Sequence, residues 1–249
     1  MLRNLSRLLT PAAATETGLP QTDPASDLVA QQSAALASRA AADAAARAAQ
    51  AALRGLRAPQ PDPARAETWA FRPTAWHQAA HTPHLVGPAS GTEIAPGLSV
   101  FHDCPLSESC VRQTLAPASA PAPFGITFDI LRFEGSFLSL CLHLADTDVS
   151  AWAHEDIIRI ALVAQMETPI ALYGRLNLVQ GPNTQQMLAH FPFETASDDC
   201  AKVAFDLSYA GLEPDPLTGA WIDLIFEKPA MNAVHLHDMR LSRGKRADL

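Results

Sequence analysis

The chain has 249 residues, of which 48% are hydrophobic and 18% charged, with a formal net charge of −8. That length allows one sizeable domain plus an accessory segment. The acidic balance argues against a general nucleic-acid binder, because contacts to phosphate need a basic surface, so no nucleic-acid partner is expected.

Residues 1–25 are polar and proline-containing, and they predict a disordered or loosely structured N-terminus. Leu2, Leu5, Leu8 and Leu9 share one helical face there, with Arg7 interrupting the apolar run. A frayed terminus and a weakly membrane-associating helix both fit this pattern. No apolar run approaches the roughly 20 residues that a spanning helix needs, so no transmembrane segment is expected. Residues 26–57 predict an Ala-rich helix. From Ala30 to Leu53, 14 of 24 residues are alanine, the best helix former. Ser26 or Asp27 can cap its start, and Gly55 sits near its end. Its large apolar residues are few: Leu28, Val29, Leu36, Leu53 and Leu56. Such a helix is either a solvated extension or a surface for self-association.

Residues 58–68 carry Pro59, Pro61 and Pro63 and predict a stiff linker. Residues 69–249 are then read as a β-sandwich domain with an irregular N-terminal covering segment. The stretch 64–123 is expected to be mostly irregular, with Trp69, Phe71 and Trp76 as apolar anchors and one short strand at Leu98–His102. Cys104, Cys110, Cys141 and Cys200 form no Cys-x-x-Cys motif or dense framework, which predicts reduced thiols and a cytoplasmic location.

Seven alternating segments follow, at about 124–133, 136–144, 157–166, 170–179, 202–209, 221–227 and 233–242. Short strands without intervening helices predict a mainly β fold, an antiparallel jelly-roll-like sandwich. Two strands change phase. A β-bulge near His237-Asp238 reconciles the last one, and a similar shift is expected where Ile126, Phe128 and Ile130 give way to Leu131 and Phe133. The core should contain Leu138, Leu140, Leu172, Leu176, Phe205, Leu207, Leu224 and Phe226.

No nucleotide loop, nucleophile signature or full metal set is present, so no catalytic residue, metal or cofactor is assigned. His235-x-His237 puts two imidazoles on one strand face without an identifiable third ligand. His77, His81 and His84 have helical spacing spoiled by Pro83 and read as a surface loop. His102-Asp103-Cys104 sets base-, acid- and nucleophile-like groups side by side, but triads are assembled in space and not along sequence.

The face opposite the predicted core carries the candidate ligand-binding residues. Tyr173, Arg175 and Asn177 alternate on strand 170–179, and Trp221 and Asp223 do so on strand 221–227. Aromatic rings cover the apolar face of a sugar, while Arg, Asn and Asp bond hydroxyls. The same residues also fit a solvated sheet face laced by cross-strand ion pairs.

Four blocks carry a family resemblance. They are Phe133-Glu134-Gly135-Ser136-Phe137-Leu138-Ser139-Leu140; Arg175-Leu176-Asn177-Leu178 with Gly181-Pro182-Asn183-Thr184; Phe205-Asp206-Leu207-Ser208-Tyr209; and Trp221 to Glu227 with Pro229-Ala230-Met231-Asn232. Phe101-His102-Asp103-Cys104 and the ending Arg246-Ala247-Asp248-Leu249 fit the same pattern. Over residues 69–249 the chain resembles an alphaproteobacterial family of unknown function, domain-of-unknown-function family 6478, which implies no activity. Separately, the run from Ile222 to Arg243 is similar to the last two strands of galactose-binding-like jelly rolls, an analogy of fold. The expected function is a non-catalytic binding module for carbohydrate or another polar small molecule. Alternatives are an interaction protein assembling through its helix or a sheet face, and a glycan-acting hydrolase using Asp223 and Glu227.

Overall fold

A computed structural model of the chain describes residues 24–55, 60–80, 82–116, 120–193 and 199–246. The leucine face of the first residues, His81 and the last three residues lie outside them. Compact units divide between Asp43 and Ala44. Helix α1 spans Pro24–Gly55 and runs through that division. Alanine propensity explains its length, and Leu28, Val29 and Leu36 are exposed along it. Among the described residues, no helix is long and apolar enough to cross a membrane.

The second unit contains thirteen strands among its described residues. Strands β1 (Trp69–Phe71), β2 (His84–Val86), β3 (Thr92–Ala95), β4 (Leu98–His102) and β5 (Ser109–Leu115) come first. Strands β6 (Phe124–Ile130), β7 (Leu138–His143), β8 (Asp156–Met166) and β9 (Leu172–Gln180) follow. Strands β10 (Asn183–His190), β11 (Asp199–Asp206), β12 (Gly219–Phe226) and β13 (Asn232–Lys245) complete the set. Short helices α2 (Thr74–His77) and α3 (Asp146–Val149) interrupt them.

The strands form two antiparallel sheets. One runs β11-β8-β13-β6-β5-β2, with β1 added beside the second half of β13; the other runs β10-β9-β12-β7-β4-β3. This is the sandwich that the alternating segments predict. All eight expected core residues are 2% exposed or less, and each such large apolar side chain stabilises the fold by roughly 1.5–3 kcal/mol. Leu207 reaches the core from a 3₁₀ turn, Leu207–Tyr209, because the Asp206 side chain accepts from Ser208 N at 3.1 Å and ends β11. Pairing of β13 with β8 shifts register between Leu236 and Asp238, which is the expected bulge.

Three expectations are corrected. More than half of the described residues in 64–123 lie outside strands and helices, and the expected strand Leu98–His102 is β4, but four further short strands, β1, β2, β3 and β5, also fall there. Their pattern is obscured by a buried amide: Gln113 sits inward on β5, accepts from Ala80 N and donates to Ala75 O and Gln78 O. Strand β10 was not among the predicted segments, because both its faces are partly wet and its sequence does not alternate. Strand β6 ends at Ile130 without a second phase, leaving Leu131 exposed.

Trp76 is fully buried, touching ground through Nε1–H to Leu236 O at 3.0 Å, and α2 packs against strands of both sheets. Residues before β1 are tied to the same sheet. Arg72 N donates to the Gln60 side chain at 2.9 Å, Thr68 N donates to Arg243 O at 2.8 Å, and Arg240 grips both carboxylate oxygens of Glu67.

Candidate functional site

Strand β9 turns Leu172, Gly174, Leu176 and Leu178 to the core. A Cβ on Gly174 would stand 3.1 Å from the Phe191 ring, a tight contact to which the ring would have to yield. The intervening residues Tyr173, Arg175 and Asn177 therefore face outward. Strand β12 pairs with β9 so that Asp223 opposes Arg175 and Trp221 opposes Asn177. All five candidate residues thus lie on one face of the six-stranded sheet. Their adjacency across strands depends on register between distant segments, which the sequence does not reveal.

The next strands widen this face. Cys141 opposes Asp223 and His143 opposes Trp221 across β7, while Ser99 opposes Cys141 and Phe101 opposes Ser139 across β4. On the other side, Leu188 opposes Arg175 and His190 opposes Tyr173. Cys141, His143, Phe101 and His190 were not singled out from sequence. Inward Leu138, Leu140 and Leu142 imply outward Cys141 and His143 by period alone, but nothing local says that β7 borders β12.

The centre of the face is a bonded cluster. Arg175 Nε and Nη2 each lie 2.9 Å from Asp223 Oδ2, and Asn177 Nδ2 donates to the same oxygen at 2.9 Å. The Asp223 side chain is 6% exposed and that of Arg175 is 39% exposed. Asn177 is fully buried, so it holds Asp223 in place and does not meet solvent. Arg175 is the outward part of the cluster, and of its five N–H donors the Nε one is bonded to Asp223. Burial, with Asp223 beside it, pushes the Cys141 thiol up to about 12, so it stays protonated. Cross-strand ion pairing, one of the two readings of this face, is present; so is a set of outward aromatic residues.

Those aromatics stand at the two ends of the cluster. Trp221 and His143 rings are 6.3 Å apart at 33°. Tyr173 meets His190 edge to face at 5.2 Å, and its hydroxyl donates to Glu227 at 3.2 Å. That bond to a carboxylate raises the Tyr173 pKa above the ordinary phenol value. Four residues of extended strand separate the Trp221 and Tyr173 positions, about 14 Å. Trp221 and Tyr173 are half-buried.

Other sequence candidates take structural positions. Asp103 accepts from the Ser136 hydroxyl, which does most to hold its carboxyl below the usual range, and also from Ser136 N at 2.7 Å and Phe137 N at 3.2 Å. A Cβ on Gly135 would come 2.5 Å from Asp103 Oδ1, so this loop closes only on glycine. His102 Nε2 bonds Pro88 O at 2.8 Å and Nδ1 accepts from Cys104 N at 3.2 Å. The His-Asp-Cys run therefore clamps a loop. His235 and His237 stack at 6.0 Å, with His235 Nδ1 3.0 Å from Thr127 Oγ1. Among the described residues, no three His, Cys, Asp or Glu side chains are placed to hold a metal ion. All four cysteines are free.

Residues 6–249 match the model of a family described as a family of unknown function (DUF6478), and the chain belongs to that family. The match extends N-terminal to the blocks at 69–249 and takes in the Ala-rich helix. No curated protein matches the chain in sequence. Among solved structures, a family 11 carbohydrate-binding module from Clostridium thermocellum is similar at 8% identity and TM-score 0.39, over 64% of this chain and 94% of that one. A xylan-binding domain from Paenibacillus barcinonensis is similar at 14% identity and TM-score 0.38, over 66% and 94%. The enzymatically active domain of tailspike protein 4 from bacteriophage CBA120 is similar at 8% identity and TM-score 0.43, over 60% of this chain; this chain spans only 19% of that one.

Proposed function

We propose that this protein is a non-catalytic binding module that takes carbohydrate on the outer face of its six-stranded sheet. The observation that carries the reading is the order of groups on that face. Trp221 and Tyr173 flank a polar centre in which buried Asp223 fixes the Arg175 guanidinium. A held donor loses little freedom when it binds a hydroxyl, which lowers the cost of association. The flanking rings offer flat apolar surface to the C–H faces of sugar units. An open strip across several strands suits an extended chain of sugars laid over the sheet.

Hydrolysis is disfavoured by spacing. Asp223 and Glu227 are four residues apart along an extended chain, about 13 Å, beyond the roughly 5–9.5 Å that paired glycosidase carboxylates span. Asp223 is also committed to two hydrogen bonds and the ion pair with Arg175.

The test is a glycan array on the full chain, followed by titration calorimetry on the ligands found. Trp221→Ala should weaken binding about tenfold, or ~1.4 kcal/mol, with little change in melting temperature. Absence of any glycan ligand, or an unchanged affinity in both Trp221→Ala and Tyr173→Ala, would sink the reading. A second reading, assembly through the same face, draws on Leu188, 64% exposed on edge strand β10, and Phe101, 36% exposed. Sedimentation of wild type against Leu188→Lys separates it, since only an interface would dissociate.

A further inference from the structure

A cavity of about 360 Å³ on the outer face of the seven-stranded sheet has a charge pattern opposite to that of the acidic chain around it. Ala161, Ala204 and Ser242 leave its floor low, and Arg159, Lys202, Arg240 and Glu67 stand around it. Alternation explains the grouping. Odd residues of β8 and even residues of β11 face away from the core, and beyond its bulge β13 turns even residues the same way.

Register then fixes the spacing. Lys202 and Arg240 both pair with Ala161, from opposite sides. They are two strand spacings apart, about 10 Å. Arg159 lies two residues along β8 and is diagonal to both, at about 7–8 Å. Three cationic side chains therefore start from positions around one alanine, with Arg159 Nη1 extending towards Gly244 of β13. Glu67 is the one carboxylate among the cavity residues, and both its oxygens are bonded by Arg240. Among the described residues, Arg159 and Lys202 have no carboxylate within ion-pair distance.

Like charges brought together across a sheet repel. Glu67 neutralises Arg240, so Arg159 and Lys202 are the cations left to attract an anion. We propose that this cavity binds a small organic oxyanion, a carboxylate or phosphate carried on a molecule of about monosaccharide size. Arg159 supplies a planar donor fork and Lys202 a mobile point charge, a pair that suits either oxyanion. The small floor residues let the anion approach the backbone, and the volume falls within the usual range of ligand pockets, about 300–1,000 Å³. This site is on the opposite sheet from Trp221 and Tyr173, so the two sites stand or fall separately.

Titration calorimetry on the full chain tests it, with inorganic phosphate and glucuronate as separate probes at constant ionic strength set by sodium chloride. At least one probe should give saturable one-to-one binding. Arg159→Gln and Lys202→Met should each weaken it at least tenfold, with the melting temperature of the anion-free protein unchanged or raised. Trp221→Ala should leave it untouched. Which probe binds more tightly tells phosphate from carboxylate. Failure of both probes to saturate above the chloride background would overturn the proposal, as would undiminished binding in the two charge variants.

Discussion

Three nitrogens converge on one oxygen of Asp223, two from Arg175 and one from Asn177. The partners are unequal. Asp223 is buried, whereas Arg175 is partly in water. Removing the arginine strands a carboxylate, and removing both charges does not. Arg175→Ala should therefore lose roughly 1–2 kcal/mol in chemical denaturation, after allowance for solvent reaching the site. Arg175→Ala combined with Asp223→Asn should recover most of that loss. Equal stability of the single variant and wild type would show that the pair contributes nothing. The alternation of strand 170–179 made the direction of Arg175 and Asn177 legible. It did not reveal depth: Asn177 points away from the core and is still buried, bonded to Asp223 and the Trp221 carbonyl.

At the scale of elements, readability followed contact. Strands with one dry and one wet face, such as β8, β9 and β12, show clean alternation and were found from sequence. Edge strand β10 has two half-wet faces, and β5 turns a glutamine inward, so neither shows the expected period. The segment before β1 illustrates the same limit. Its prolines read as a spacer, yet Gln60 bonds to Arg72 just after β1 and Glu67 to Arg240, far along the chain on β13. The Arg240 hydrogen bond holds the Glu67 carboxyl down from 4.5 to about 2. A depressed folded-state pKa stabilises fully above the unfolded value and loses its effect as pH falls through the folded one. Thermal melts of wild type should therefore decline as pH falls from about 4.5 towards about 2. Glu67→Gln should start lower at neutral pH and show a shallower decline over that window. Parallel curves for the two proteins would mean that this strap carries no acid sensitivity.

At the scale of the molecule, β12 lies between β9 and β7, and β13 lies between β8 and β6 while also holding β1. The last strands made are thus the middle strands of both sheets. During synthesis, at about 5–20 residues per second, β6, β7, β8 and β9 emerge before the partners that complete them. For several seconds the nascent chain presents open strand edges, a state prone to mispairing. Folding should then occur as one late event and not as a progressive build-up. Ribosome-arrested chains in which Phe226 but not Lys245 has cleared the exit tunnel should remain protease-sensitive, and those in which Lys245 has cleared it should become resistant. Resistance in the shorter chains would show that β1–β12 close without β13. Strand edges left open until β12 and β13 arrive are what a holdase shields, so yield in a cell should respond to holdase supply more than to small changes in core packing.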